Sequence, residues 1–89
     1  MKRLVLDSQG YGINITATLS FTNFDPSGGT ALFEVINQPE RTMALDGPGL
    51  VATYTTVPND FKQGKYVALV SVTKGPVRVP SERFQLEVL

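Results

Sequence analysis

The chain has 89 residues, of which 42% are hydrophobic and 18% are charged, a balance typical of a globular domain and not of a disordered segment. Eight Lys and Arg offset eight Asp and Glu with no run of like charge, which argues against a nucleic-acid or anionic-membrane partner. Cysteine and histidine are absent, which excludes disulfides, thiolate metal sites and most nucleophile–base catalytic schemes. We expect one non-enzymatic domain over residues 1–89, with no cofactor and no catalytic or metal-binding residues.

The first predicted elements are a short strand at 4–6 and a longer strand at 13–22. The opening "MKRLVL" has the basic start of a signal peptide, but its apolar run stops at Asp7, short of the roughly 7 to 15 apolar residues that such a signal needs. Between Ile13 and Thr22 the odd positions are apolar and the even positions are polar. This alternation predicts a strand with one buried face and one solvated face.

Five further strands are predicted in the rest of the chain. They lie at 30–37, 41–45, 50–57, 65–73 and 84–88, where β-branched and aromatic residues are frequent. In the last of them Phe84, Leu86 and Val88 are predicted to face inward. The segments 30–37 and 66–72 are apolar on both parities, so their strands are either central in a sheet or covered on the outer face by a partner.

Glycine, proline, asparagine or aspartate occurs in every gap between these segments, and no segment has a helical period. Short strands joined by tight turns predict an all-β fold. About seven antiparallel strands within roughly 90 residues are typical of an immunoglobulin-like β-sandwich. A small barrel is the alternative.

The stretch "NDFKQGKYVALV" at 59–70 predicts a structural corner before the sixth strand. In immunoglobulin-like sandwiches a tyrosine at this place hydrogen-bonds to the backbone of the preceding corner, and Tyr66 fits that role. We expect Gly64 to leave space beneath the ring, where a Cβ would obstruct it, and Asp60 to bond the corner backbone. The alternative interpretation is an ordinary strand tyrosine that follows an ordinary turn glycine.

The acidic residues offer few candidates for chemistry. Asp7, Asp25, Asp46 and Asp60 stand beside turn-forming residues, where aspartate commonly bonds its own turn, and no dense spacing indicates a calcium loop. If the strands follow the immunoglobulin order, the turns that carry Asp25, Asp46 and Lys74 gather at one end. These three residues are our candidate loop-end site for a carbohydrate or a cell surface, since rigid sandwiches often bind through loops.

Residues 49–89 contain a series of spaced motifs. They are Tyr54-Thr55, Asp60, Gly64 with Tyr66, Gly75, Val77 with Pro80, and Glu87-Val88. This half of the chain resembles the immunoglobulin-like domain of tailed-bacteriophage structural proteins, especially the amino-terminal domain of baseplate upper proteins. A capsid decoration or cement protein is a second possibility within that group.

The resemblance implies a virion location and a non-enzymatic structural role. The implied partners are other virion proteins and further copies of the same chain, whereas neither a nucleic acid nor a membrane is expected. The alternative function is a carbohydrate- or cell-surface-binding β-sandwich module.

Overall fold

The computed structural model describes residues 2–48 and 50–89, and this part of the chain is all-β, with eight strands and no helix. It therefore contains no helix of the length and apolarity that crossing a membrane requires. The strands are β1 (Arg3–Leu6), β2 (Asn14–Thr18), β3 (Thr30–Val35), β4 (Arg41–Leu45), β5 (Val51–Thr55), β6 (Gly64–Lys74), β7 (Val77–Pro80) and β8 (Phe84–Val88).

The strands form one mixed, curled sheet in the order β1-β8-β6-β3-β4-β5-β2, with β7 beside β6. All pairs are antiparallel except β1 with β8, which run parallel. The predicted all-β class is confirmed, whereas the prediction of about seven antiparallel strands was incomplete in two respects. It missed β7, which follows Pro76 and pairs with the end of β6, and it missed the parallel pair at the sheet edge.

The curl of the sheet comes from β4, whose two halves have different partners. Met43 pairs with Ala31 of β3, whereas Leu45 pairs with Ala52 of β5. A strand that changes partner midway turns the second half of the sheet over the first, and the apolar faces of both halves then enclose one core.

The core is a single cluster centred on the aromatic side chain of Phe33, which is fully buried. Its ring stacks on Tyr54 with centroids 5.8 Å apart, and it meets Phe61 edge-on at 6.3 Å and Phe84 at 6.0 Å. Such pairs each add about 0.5 to 1.5 kcal/mol beyond the area they bury. This cluster therefore ties β3, β5 and β8 to the turn that precedes β6.

The alternating segment at 13–22 is confirmed as a strand only over its middle. Ile15 is buried and Ala17 packs against the core, as the parity predicted. Ile13, however, is 37% exposed, because it precedes the strand at the end of the sheet. The strand ends at Thr18, but Leu19 and Phe21 still pack against the core, as the parity predicted, and Phe21 also meets Phe24 edge-on at 5.2 Å.

Strand β6 is central, one of the two alternatives that its apolar composition allowed. It pairs with β3 along one edge and with β8 and then β7 along the other. On its outer face Leu69 and Ser71 are buried. Glu34 of β3 lies opposite Leu69, and Arg78 of β7 lies opposite Thr73. The ion pair between Glu34 and Arg78 therefore crosses the outer face of β6 at Ser71, so the chain covers this part of the face with its own side chains.

Candidate functional site

A hydrogen-bonded cluster of three polar side chains, which we call the corner network, joins the turn before β6 to strands β4 and β5. It consists of Arg41, Tyr54 and Asp60. The Arg41 Nε donates to Asp60 Oδ1 at 2.7 Å, and a terminal guanidinium nitrogen donates to the Asp60 carbonyl at 3.1 Å. The Tyr54 hydroxyl donates to the other carboxylate oxygen, Oδ2, at 2.5 Å. The side chains of Arg41 and Asp60 are only 14% and 8% exposed, so this ion pair is largely shielded from water.

The Asp60 carboxylate also accepts a hydrogen bond from within its own turn. The Val57 amide donates to Oδ2 at 3.2 Å, which is the bond to the corner backbone that the sequence led us to expect. Next along the chain, the buried ring of Phe61 lies 4.2 Å from the Arg41 guanidinium carbon. A cation over an aromatic face is attracted by the negative charge above the ring. Asp60 and Phe61 thus hold the arginine from two sides.

The corner network shifts the ionisation of two of its members. Burial opposes the charge on Asp60, but the bonds from Tyr54, Arg41 and the Val57 amide together outweigh it and hold the pKa of that carboxyl below its usual value. Burial, followed by the bond to the Asp60 carboxylate, raises the pKa of Tyr54. The network is therefore built to keep a charged carboxylate beside a neutral phenol.

Tyr66 and Gly64 lie at the end of the same turn. The Tyr66 hydroxyl donates to the Lys62 carbonyl at 2.8 Å, a bond back to the corner of the kind that defines a tyrosine corner. Gly64 has φ +152°, a conformation that favours glycine, and a Cβ there would lie 3.6 Å from the Tyr66 oxygen. That distance is an ordinary contact, so the predicted reason for the glycine was wrong: backbone conformation requires it, and not lack of space.

The loop-end residues come together only in part. Lys74 Nζ donates to the Asp25 carbonyl at 3.1 Å and lies 3.9 Å from its carboxylate. A hydrogen bond from the Ser27 hydroxyl, another from the Ser27 amide and the charge of Lys74 hold the pKa of Asp25 below its usual value. Asp46 instead accepts bonds from the Leu50 and Val51 amides, at 2.8 Å and 3.1 Å, within its own turn.

Each of the four aspartates accepts a backbone bond within its own turn, and Asp60 in addition joins two residues of other strands. Asp7 also accepts a bond from an amide of its own turn, that of Gln9 at 2.9 Å. In residues 2–48 and 50–89 no three acidic side chains meet in an arrangement that would hold a metal ion. What these carboxylates do chemically is to order the turns in which they stand.

An open cleft of about 510 Å³ lies beside the corner, on the outer face of the sheet. It forms where the chain turns away from β6 after β3, at Asn37, which has φ +67°. Apolar Ile36 and Val67 line it together with the cations Lys65 and Arg83. Sequence reasoning missed this cleft, because its residues come from three separate segments with no shared motif.

No protein-family model, no curated protein and no solved structure matches the chain.

Proposed function

We propose that the chain is an immunoglobulin-like structural module of tailed-bacteriophage virions, without enzymatic activity. Its role is to assemble with other copies of itself and with other virion subunits of the tail, the baseplate or the capsid surface. The observation that supports this most is the corner. Tyr54, Asp60, Gly64 and Tyr66, which carry much of the phage resemblance, stand around one turn and contribute to its hydrogen bonds and its backbone conformation.

The strand pairing supports the immunoglobulin-like assignment. With β2, β3, β5, β6 and β8 taken as strands B, C, E, F and G, the pairs B–E, C–F and F–G are those of the immunoglobulin order. Strand β4 then occupies the position between C and E, where it pairs with both. The parallel pairing of β1 with β8 extends the C–F–G half of the fold.

Exposed apolar side chains support a role in protein contacts. Tyr11 is 66% exposed and Val57 is 53% exposed, both near the corner end of the molecule, and Ile36 at the cleft is 43% exposed. Apolar and aromatic surface of this kind is enriched at the centres of protein interfaces. Because the net charge is zero, copies of the chain do not repel one another through their overall charge.

Sedimentation velocity tests the proposed function. The purified protein is run alone and then with candidate head and tail proteins encoded beside its gene. We expect a self-associated species, or a complex with at least one of those proteins. A strict monomer that binds none of these proteins would overturn the proposal.

Carbohydrate binding at Asp25, Asp46 and Lys74 is the second candidate. The contact between Asp25 and Lys74 favours it, whereas the use of both aspartates within their own turns weakens it. A glycan array decides between the two functions. Binding that survives substitution of all three residues by alanine would remove this site.

A further inference from the structure

Strand β2 lies at one end of the sheet, and no strand among the described residues pairs with its outer edge. The Thr56 amide donates to the Ile13 carbonyl, and the Leu19 amide donates to the Leu50 carbonyl. In an antiparallel ladder alternate residues direct their backbone groups to the same neighbour, so the odd positions of β2 bond to β5. The amides and carbonyls of Asn14, Thr16 and Thr18 therefore point away from the sheet, and all three residues are exposed.

The other two strands that have a single partner strand, β1 and β7, carry features that block strand addition. Strand β1 begins with Arg3, preceded by Lys2, and β7 contains Arg78 and ends at Pro80. Charge and proline are the usual means by which proteins protect a sheet edge. Strand β2 has neither, and no charged residue occurs anywhere from 8 to 24. Among the described strands that have a single partner strand, β2 is thus the one without such protection.

We propose that β2 pairs antiparallel with the β2 strand of a second copy of this chain, around a two-fold axis at Thr16. In that register Thr16 lies opposite Thr16 of the second copy, and Asn14 lies opposite Thr18. The two-fold axis exchanges Asn14 with Thr18 and places Thr16 opposite itself, so each of the outward-facing amides and carbonyls has a partner in the second copy. An uncharged strand suits such a contact, since a two-fold axis would place any charge near its own copy.

This inference deepens the proposed function, since it names the surface through which the module associates with itself. The strand contains no proline or glycine, and only its outward backbone groups are used, so the monomer need not rearrange to form the pair. The two curled sheets would join into one continuous sheet across the axis.

Disulfide crosslinking tests the register directly, because the natural chain contains no cysteine. The variant Thr16→Cys should form a covalent dimer on mild oxidation, since residues opposed in a hydrogen-bonded pair have Cα atoms about 5.5 Å apart, within disulfide range. A mixture of Asn14→Cys and Thr18→Cys should yield the mixed dimer. Asn14→Cys alone should not crosslink, because position 14 of one copy lies opposite position 18 of the other, four residues away from the second cysteine. The two sulfurs would then be roughly 13 Å apart.

A charge at the axis provides the second test. Thr16→Lys should raise the dimer dissociation constant on the order of tenfold or more, because it sets two ammonium groups opposite each other. Thr42→Lys is the matched control, since Thr42 is an exposed threonine of β4, away from the open edge. Its dissociation constant should stay that of the natural chain.

The outcomes separate this inference from the proposed function. If Thr16→Cys crosslinks no better than Thr42→Cys while the protein still self-associates or binds a virion protein, the β2 pairing is wrong and the function stands. If β2 instead pairs only with a strand of another virion protein, the second-copy assignment is equally wrong. Crosslinking in the predicted register supports the pairing, and a strictly monomeric protein that neither crosslinks nor binds a virion protein overturns both proposals.

Discussion

The two ends of the molecule organise their aspartates differently. At the loop end, Asp25 and Asp46 accept bonds mainly from residues two to five positions along the chain. At the corner end, Asp60 joins Arg41, 19 residues away on another strand, and Tyr54 on a third segment. The first arrangement orders a turn locally, whereas the second connects separate parts of the sheet.

The difference shows where a single side chain can affect the whole fold. An exposed carboxylate that bonds its own turn can be replaced by water, because its partners remain accessible. Water cannot replace one member of a largely buried ion pair in the same way, because the remaining charge is then buried without a counter-ion. We therefore expect substitutions at the corner to destabilise the fold more than equivalent substitutions at the loop end.

Asp60→Ala should have the largest effect. It leaves the Arg41 guanidinium, 14% exposed, without its counter-ion and the Tyr54 hydroxyl without its acceptor. We expect a loss of about 3 kcal/mol in the free energy of unfolding, measured by urea denaturation. Asp25→Ala is the control and should lose much less. Equal losses in the two variants would contradict the contrast between the two ends.

Gly64→Ala should come next, with a loss of about 1 to 2 kcal/mol in the same assay, because its φ of +152° strains any residue that carries a Cβ. Gly47→Ala is the control, since a Cβ at Gly47 would meet no atom within 4 Å. That variant should stay within about 0.5 kcal/mol of the natural chain. A silent Gly64→Ala would show that the backbone at this position relaxes without cost.

Tyr66→Phe removes the hydroxyl that donates to the Lys62 carbonyl and keeps the ring that contacts Phe61. We expect a loss of about 1 kcal/mol in the free energy of unfolding, the usual net value of one hydrogen bond. Tyr11→Phe, at a largely exposed tyrosine, should change little. No difference between these two variants would favour the alternative interpretation of Tyr66 as an ordinary strand tyrosine.

The smallest expected effect is the pH dependence of the contribution from Asp60. Because its folded pKa lies below the unfolded value of about 3.9, its ionised form stabilises the fold above that pH. This stabilisation should disappear as the pH falls through the folded pKa. The difference in unfolding free energy between the natural chain and Asp60→Asn should therefore shrink on acidification from about pH 6 to about pH 3. Asp25 is present in both proteins, so its titration contributes equally to both and cancels in the difference in unfolding free energy.

The sequence was informative where structure depends on neighbours along the chain. The alternation of apolar and polar residues predicted the inward faces of β2 and β8, and the spacing of Asp60, Gly64 and Tyr66 predicted the position of the corner turn. These features depend on the direction of successive side chains and on turn chemistry, both of which are local.

Contacts between distant segments could not be predicted in the same way. Nothing in the spacing links Arg41 to Asp60, because their contact depends on how β4 is placed against the turn before β6. Strand β7 was missed because Pro76 precedes it and Pro80 ends it, and prolines usually argue against a strand. The cleft at Ile36 and Lys65 was missed for a related reason, since local sequence does not show where a sheet leaves open space.

The parallel pairing of β1 with β8 has a mechanical consequence. The register runs from Arg3 opposite Gln85 to Leu6 opposite Val88, so the chain enters β1 at one end of the pair and leaves β8 at the other. A tensile force applied to the chain before β1 and after β8 would pull the two strands along their length in opposite directions. All the hydrogen bonds between them would then bear the load in shear at the same moment, instead of opening one after another.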